Sequence, residues 1–385
     1  MGSRNVFLAH KNYLKSTFNH VVISGGNFAN LNNLKNPDLT KVAVSNGAAL
    51  ANTLIHIDLG ALVDVRVFAI PDNIKTFKPS RTAKHRIRAS QEPKWQGLEL
   101  QGASNDIGNT SITVQNSTAA PVTVASGDTF SIAHMLPSGQ PVKDVYKVGL
   151  SVTVAANSTG TISLAPALKQ NYNDGDVLIC NIGNFTTTQY DSGWNELVEA
   201  TMPLGSVPWG HPSLWDGKPT DEELQTLPYP VVKIFDLVLA RYWLYEFDDV
   251  GNRAWNEPNI TIPYLFIGNG YQPSVNATYG GTNIGFLTET SVQTTIGGRR
   301  IYGKEPIARR AVLSIPNIEE NEAFGEAFDL QWVGGISEEL FFIFNPEDTV
   351  LMNKRGFLAN LEKLNPLEFP YFNTNNLNYE LVEVL

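Results

Sequence analysis

The residues able to do chemistry in this chain are few and scattered. The six histidines, His10, His20, His56, His85, His134 and His211, show no ligand spacing, and a metal site needs several N, O or S donors that converge. The single cysteine, Cys180, excludes an intrachain disulfide and a Cys-rich metal centre. The G-x-S-x-G, G-x-x-x-x-G-K-[ST], H-E-x-x-H and G-x-G-x-x-G patterns are absent. Asn171-Tyr-Asn-Asp-Gly-Asp176 has the look of a calcium loop, but its Gly is misplaced and no Glu follows at the twelfth position, so it reads as a hairpin turn. Asp248 and Asp249 are adjacent, so a strand would point them to opposite faces. Glycosidase carboxylates face one cleft about 5–10 Å apart; the pair therefore reads as a solvated strand end. The expectation is no catalytic residue, no cofactor and no metal.

Binding chemistry is better represented. Five of the seven tryptophans, Trp194, Trp209, Trp215, Trp243 and Trp255, fall within residues 190–260. Pro208-Trp-Gly-His-Pro-Ser-Leu-Trp-Asp-Gly217 places two indoles on a loop stiffened by Pro and Gly. Indoles stack on sugars and anchor protein interfaces, which makes Trp209, Trp215 and Trp255 the candidate sugar or partner contacts. The plainer reading is that this loop packs its rings back over its own domain. Arg299, Arg300, Lys304, Arg309 and Arg310 form a basic cluster. Alternation sends Arg309 and Arg310 to opposite faces, so ion pairing, for instance with Glu319 to Glu326 of another subunit, or plain surface is favoured over a DNA groove.

The totals frame these choices. A net charge of −10 and a pI near 5.1 argue against nucleic acid or anionic lipid as the main partner. Hydrophobic residues at 42% and charged residues at 17% suit packed cores rather than disorder. The longest apolar runs, such as Glu339 to Phe344, are strand-sized and short of the ~18 residues of a membrane helix. Residues 1–20 lack the apolar run of a signal peptide. No membrane insertion and synthesis in a reducing cytoplasm are therefore expected.

The elements that must position these residues are mostly strands. Leu54 to Leu59 alternates, with Ile55, Ile57 and Leu59 on one face and His56 and Asp58 on the other. Val63 to Ile70, Lys84 to Ala89, Ala240 to Asp248 and Ile260 to Ile267 are further strands. Tyr146 to Val154 is the cleanest alternation, with Tyr146, Val148, Leu150, Val152 and Val154 on one face. One main helix is expected from the stripe Phe324, Ala327, Phe328 and Trp332, with Asn317 as N-cap, Glu320 as capping-box partner and Gly334 and Gly335 ending it. A shorter helix is expected over Phe357 to Leu364. Residues 98–189 carry only nine charges in 92 positions and are rich in Thr, Ser, Val, Ala and Gly. They read as a small β-domain inserted into a larger one formed by residues 1–97 and 190–269, with residues 270–385 as a third unit. Gln272 to Ile296 suits an extended loop or arm over a neighbour.

Read in order, several stretches look familiar: Asn36-Pro-Asp-Leu-Thr-Lys41, Ile57-Asp-Leu-Gly60, Tyr190-Asp-Ser-Gly-Trp194, Pro208-Trp-Gly-His-Pro212, Leu239-Ala-Arg-Tyr-Trp243, Leu265-Phe-Ile-Gly268, Gln272-Pro-Ser274 and Phe369-Pro-Tyr-Phe372. Together they resemble a family of tail proteins of long, flexible-tailed bacteriophages, the distal tail or baseplate type. The first unit further resembles a discoidin-like jelly roll, through the strand ending Asp58-Leu-Gly60 and the Val63 to Ile70 and Ala240 to Asp248 strands. The insertion resembles β-rich insertions of phage virion proteins, through Ser126-Gly-Asp-Thr-Phe-Ser-Ile132, Val145-Tyr-Lys-Val148 and Ile162-Ser-Leu-Ala-Pro-Ala-Leu168.

What the resemblance implies is a mainly β, multidomain fold: a discontinuous jelly-roll β-sandwich, an inserted β-domain, and a C-terminal tail-tube-like domain carrying one helix. It implies a virion structural protein at the tail tip, not an enzyme, in a homo-oligomeric ring. A hexamer is favoured over a trimer, with tube, hub and fibre proteins as neighbours and DNA only passing through the bore. The alternative is a carbohydrate-binding receptor-recognition module for a host-surface glycan. A polysaccharide-degrading glycosidase ranks third, since its converging carboxylates are not identifiable.

Overall fold

The computed structural model describes the chain except residues 1–4, 16–20, 26, 73–75, 93–96, 103–104, 134–143, 181–184, 186–187, 203–204, 227, 251–258, 289, 304 and 349. The fold is mainly β and is built on one 14-stranded sheet. Along it lie Tyr190–Asp191, Lys84–Ser90, Val231–Asp248, Ile55–Ile70, Phe266–Tyr271, Phe7–Asn12, Glu339–Ile343, Gly356–Lys363, Thr374–Glu383, Ile307–Glu319 and Asn283–Thr288. All these pairings are antiparallel.

The two expected strands at Leu54 to Leu59 and Val63 to Ile70 are one 16-residue strand, Ile55–Ile70. Ala240 to Asp248 is the second half of the 18-residue Val231–Asp248. Ile55, Ile57 and Leu59 are buried as the alternation requires, yet His56 and Asp58 on the other face are buried too. The first face packs into a core with Ile262 and Ala43 of a three-stranded sheet, Thr261–Ile262, Ala43–Ser45 and Phe28–Ala29. This completes a sandwich of two apolar faces.

A second core lies farther along the sheet. There Leu313, Leu340, Phe342, Phe357, Leu377 and Tyr379 meet Ala323, Ala327 and Leu330 of the main helix. The expected boundary between 269 and 270 falls inside strand Phe266–Tyr271. Val6 and Leu8 pack in this second core, while Phe7 and Ala9 pack on the opposite face of the sheet.

Residues 98–180 hold a closed barrel of six strands: Thr129–Ala133, Val145–Val148, Thr159–Ala165, Ser111–Asn116, Leu98–Leu100 and Val177–Cys180. Its own core is aliphatic with Phe130, Tyr146 and Tyr172, the two tyrosine hydroxyls bonded at 2.7 Å.

Four local expectations are corrected. Tyr146 to Val154 is two strands, Val145–Val148 and Val152–Val154, because Gly149 and Leu150 form a bend whose amides bond Ser163, and Leu150 is exposed. Ile260 to Ile267 likewise divides into Thr261–Ile262 and Phe266–Tyr271, in different sheets. Phe357 to Leu364 is no helix; Gly356–Lys363 is a strand between Glu339–Ile343 and Thr374–Glu383. Its Leu, Ala, Glu and Lys favour helix locally, and two flanking strands override that preference. The main helix begins at Glu320, and Asn317 sits at positive φ at a bulge in strand Ile307–Glu319 instead of capping it. The helix kinks at Gly325 and ends at Gly335, whose φ of 53° is open to glycine.

Candidate functional site

Three exposed surfaces gather the side chains with binding chemistry. The first is the Trp209 and Trp215 loop. Its short 3-10 turn, Pro212–Leu214, follows His211, whose Nδ1 accepts from the Ser213 amide at 3.2 Å. Arg81 reaches across to it, donating from Nη2 to Asp216 Oδ1 at 2.5 Å and to the Pro212 carbonyl at 3.2 Å. Burial pushes the Asp216 carboxyl up, but the Lys218 amide and Arg81 outweigh it and hold the group below the usual range. So anchored, the loop does not pack its rings inward. Trp209 is 86% exposed and Trp215 83%, and the rings meet edge to face at 6.1 Å. A groove of about 670 Å³ lies alongside, lined by Arg81, His211, Thr220, Asp221 and Glu223. Trp255 lies outside the described residues.

The second surface is an arm. Strand Asn283–Thr288 forms one end of the sheet, and beyond it Ser291–Thr294 pairs with Arg300–Gly303 as a hairpin. All residues of these three strands are exposed, including Phe286, Val292, Ile301 and Tyr302. Arg299 and Arg300 sit on the hairpin. The other members of the basic cluster go elsewhere. Buried Arg309 pairs with buried Glu383 and donates to the Asn353 carbonyl at 2.9 Å. Arg310 pairs with Glu362 at 2.7 Å and Glu380 at 2.8 Å. Both of these ion pairs lie within the chain. Lys304 lies outside the described residues.

The third surface lies on the helix that the apolar stripe Phe324, Ala327, Phe328 and Trp332 predicts. The buried face of the helix is Ala323, Ala327 and Leu330, whereas Phe324, Phe328 and Trp332 form an outward ridge. Phe324 also meets Phe369 at 6.1 Å. Tyr379 donates to the Ala327 carbonyl at 3.0 Å, and Tyr271 donates to Glu322 at 2.8 Å, fixing the helix against the sheet. The signal for this ridge was present: two apolar stripes on one helix, where a single core needs one.

The paired carboxylates do not form a cleft. Asp249 is buried and accepts from the Ser80 amide at 3.0 Å and from the Ser80 hydroxyl, so it is no solvated strand end; Asp248 accepts from the Val250 amide. Among the described residues no three His, Cys, Asp or Glu side chains converge as metal ligands, and no helix is long and apolar enough to cross a membrane. No protein-family model matches the chain, and no curated protein matches its sequence.

Proposed function

We propose that this chain is a structural protein of a bacteriophage tail tip or baseplate, located in the virion and without catalytic activity. It would assemble as a ring, hexameric in preference to trimeric, that continues the tail tube around passing DNA and holds fibres or host-contact elements. The ordered stretches from Asn36 to Phe372 support this reading. The observation that carries it is the arm: an exposed strand and hairpin bearing Phe286, Val292, Ile301 and Tyr302 to solvent. A lone sheet edge with apolar side chains is a liability that an assembly covers. Light scattering with negative-stain averages tests the reading. A closed ring with a hole of about duplex width, ~20 Å, is the expected result. A monomer that also fails to join tail proteins would remove the reading's support.

A second reading is favoured by the Trp209 and Trp215 pair. Two rings so exposed and so placed offer a stacking platform beside a polar groove. This surface would recognise a host-surface glycan. Tryptophan fluorescence unchanged across a glycan panel would count against it. The two readings are compatible within one ring.

A further inference from the structure

We infer that the arm of one copy of this chain seats on the aromatic ridge of the next copy. The inference rests on the self-assembly part of the proposed function and names the contact that would produce it.

Two unpartnered apolar surfaces lie on one chain, and their charges are opposite. Between Ser291 and Gly303 the arm carries Arg299 and Arg300 and no acid, with Val292, Ile296, Ile301 and Tyr302 exposed. Between Glu319 and Gly334 the helix carries Glu319, Glu320, Glu322, Glu326 and Asp329 and no base. Glu322 is engaged with Tyr271 and Ser274, whereas Glu326 and Asp329 flank the ridge on exposed positions. Rings at the ridge and aliphatic side chains at the arm would form the contact, and arginines against carboxylates would fix its register.

Topology decides that the contact is between copies. The 13-residue strand Ile307–Glu319 has the arm at its first residue and the helix at its last. At about 3.3 Å per residue, this strand holds the base of the arm and the start of the helix roughly 40 Å apart. The hairpin continues away from the helix, because Thr288 pairs with Ile307. An arm so directed points away from its own ridge. Two different surfaces at opposite ends make a head-to-tail contact, which closes into a ring if the rotation permits. Phe324, Trp332 and Phe369, exposed by 47%, 78% and 63%, leave apolar ring area to contribute to the ~800 Å² that each partner of a standard interface buries.

The test uses the full chain with Cys180→Ser and a new cysteine pair, Ile296→Cys with Trp332→Cys; Tyr302→Cys with Phe369→Cys is a second, independent pair. Mild oxidation of either double variant is expected to give a ladder of covalent multimers on a non-reducing gel. Mixing the two single variants of a pair is expected to stop at dimers. An intramolecular bond, or no bond from either pair, overturns the inference. A companion variant, Arg299→Glu with Arg300→Glu, is expected to weaken self-association about tenfold. Adding Glu326→Lys and Asp329→Lys in a mixed partner should restore it. Rings that form unchanged with the charge-reversed arm and without cross-links overturn the arm contact while leaving the tail-protein reading intact. A monomer without cross-links overturns the arm contact, and joining to purified tail proteins then decides the broader reading separately.

Discussion

Asp58 receives both arms of the Arg241 guanidinium, Nε at 2.7 Å and Nη2 at 3.0 Å, and also accepts the Gly60 amide at 2.8 Å. The carboxylate is buried and the guanidinium lies over the Tyr242 ring. These residues belong to the two longest strands of the sheet. Arg241→Ala would leave a buried carboxylate without its cation, a loss of about 3–5 kcal/mol. Urea unfolding measures it, and a loss under about 1 kcal/mol would show the pair to be solvated.

Gly268 and Gly270 admit the strand Phe7–Asn12 at a distance no other residue allows. A Cβ on Gly268 would lie 1.7 Å from the Lys11 carbonyl oxygen, and one on Gly270 2.3 Å from that of Leu8. Gly268→Ala is expected to cost about 3 kcal/mol or more, since backbone on both sides must shift. Gly285→Ala, with open space around it, should change stability by less than about 0.5 kcal/mol. Thermal denaturation of the two variants side by side checks the contrast.

Two buried groups tilt stability with pH in opposite directions. Burial pushes Asp72 up to about 7, against the pull of the Tyr229 and Phe77 amides at 2.9 and 2.8 Å. Its folded value exceeds the unfolded one, so the folded chain holds a proton that the unfolded chain has lost. Stability should therefore fall as pH rises from about 4 to about 7 through this group, and Asp72→Asn should remove that slope. Burial, with a smaller push from Lys233, holds His85 down to about 3. The unfolded chain then takes up the proton first, and stability should fall as pH drops from about 6.5 to about 3. His85→Phe should flatten that limb. Urea midpoints across pH 3–8 read both.

Trp209 and Trp215 touch little besides each other. Either one changed to Ala should leave the unfolding free energy from urea denaturation within about 0.5 kcal/mol of the parent. A glycan that quenches the parent's fluorescence should lose most of its affinity for these variants. Retained affinity would place the sugar site elsewhere.

What the sequence revealed followed from period and composition. Lys84 to Ala89 and Ala240 to Asp248 show as strands because aromatic and β-branched residues crowd there. The low-charge block announces the barrel. Gly356–Lys363 was illegible because it is buried on both faces, so no alternation separates it from a helix. The outward direction of the ridge is hidden from the sequence for a different reason. Phe324, Phe328 and Trp332 carry the same hydrophobic signal as a core stripe, and only the tertiary position of Ala323 and Ala327 shows which face is inward. The pairing of Arg309 with Glu383 spans 74 positions, and nothing local marks such partners.

The barrel's first and last strands are hydrogen-bonded neighbours, Val177 opposite Glu99, and the parent strands that flank it are neighbours as well, Tyr190 opposite Ala89. The chain thus leaves and rejoins the large sheet at one point. A chain with a tight turn in place of residues 98–180 should keep the parent's cooperative unfolding in urea, because Phe185, packed on Tyr242 and Leu244, is retained. In genetic terms, residues 98–180 form a cassette: recombination at its two adjoining ends would exchange one outer module for another while the register of the main sheet stays as it was.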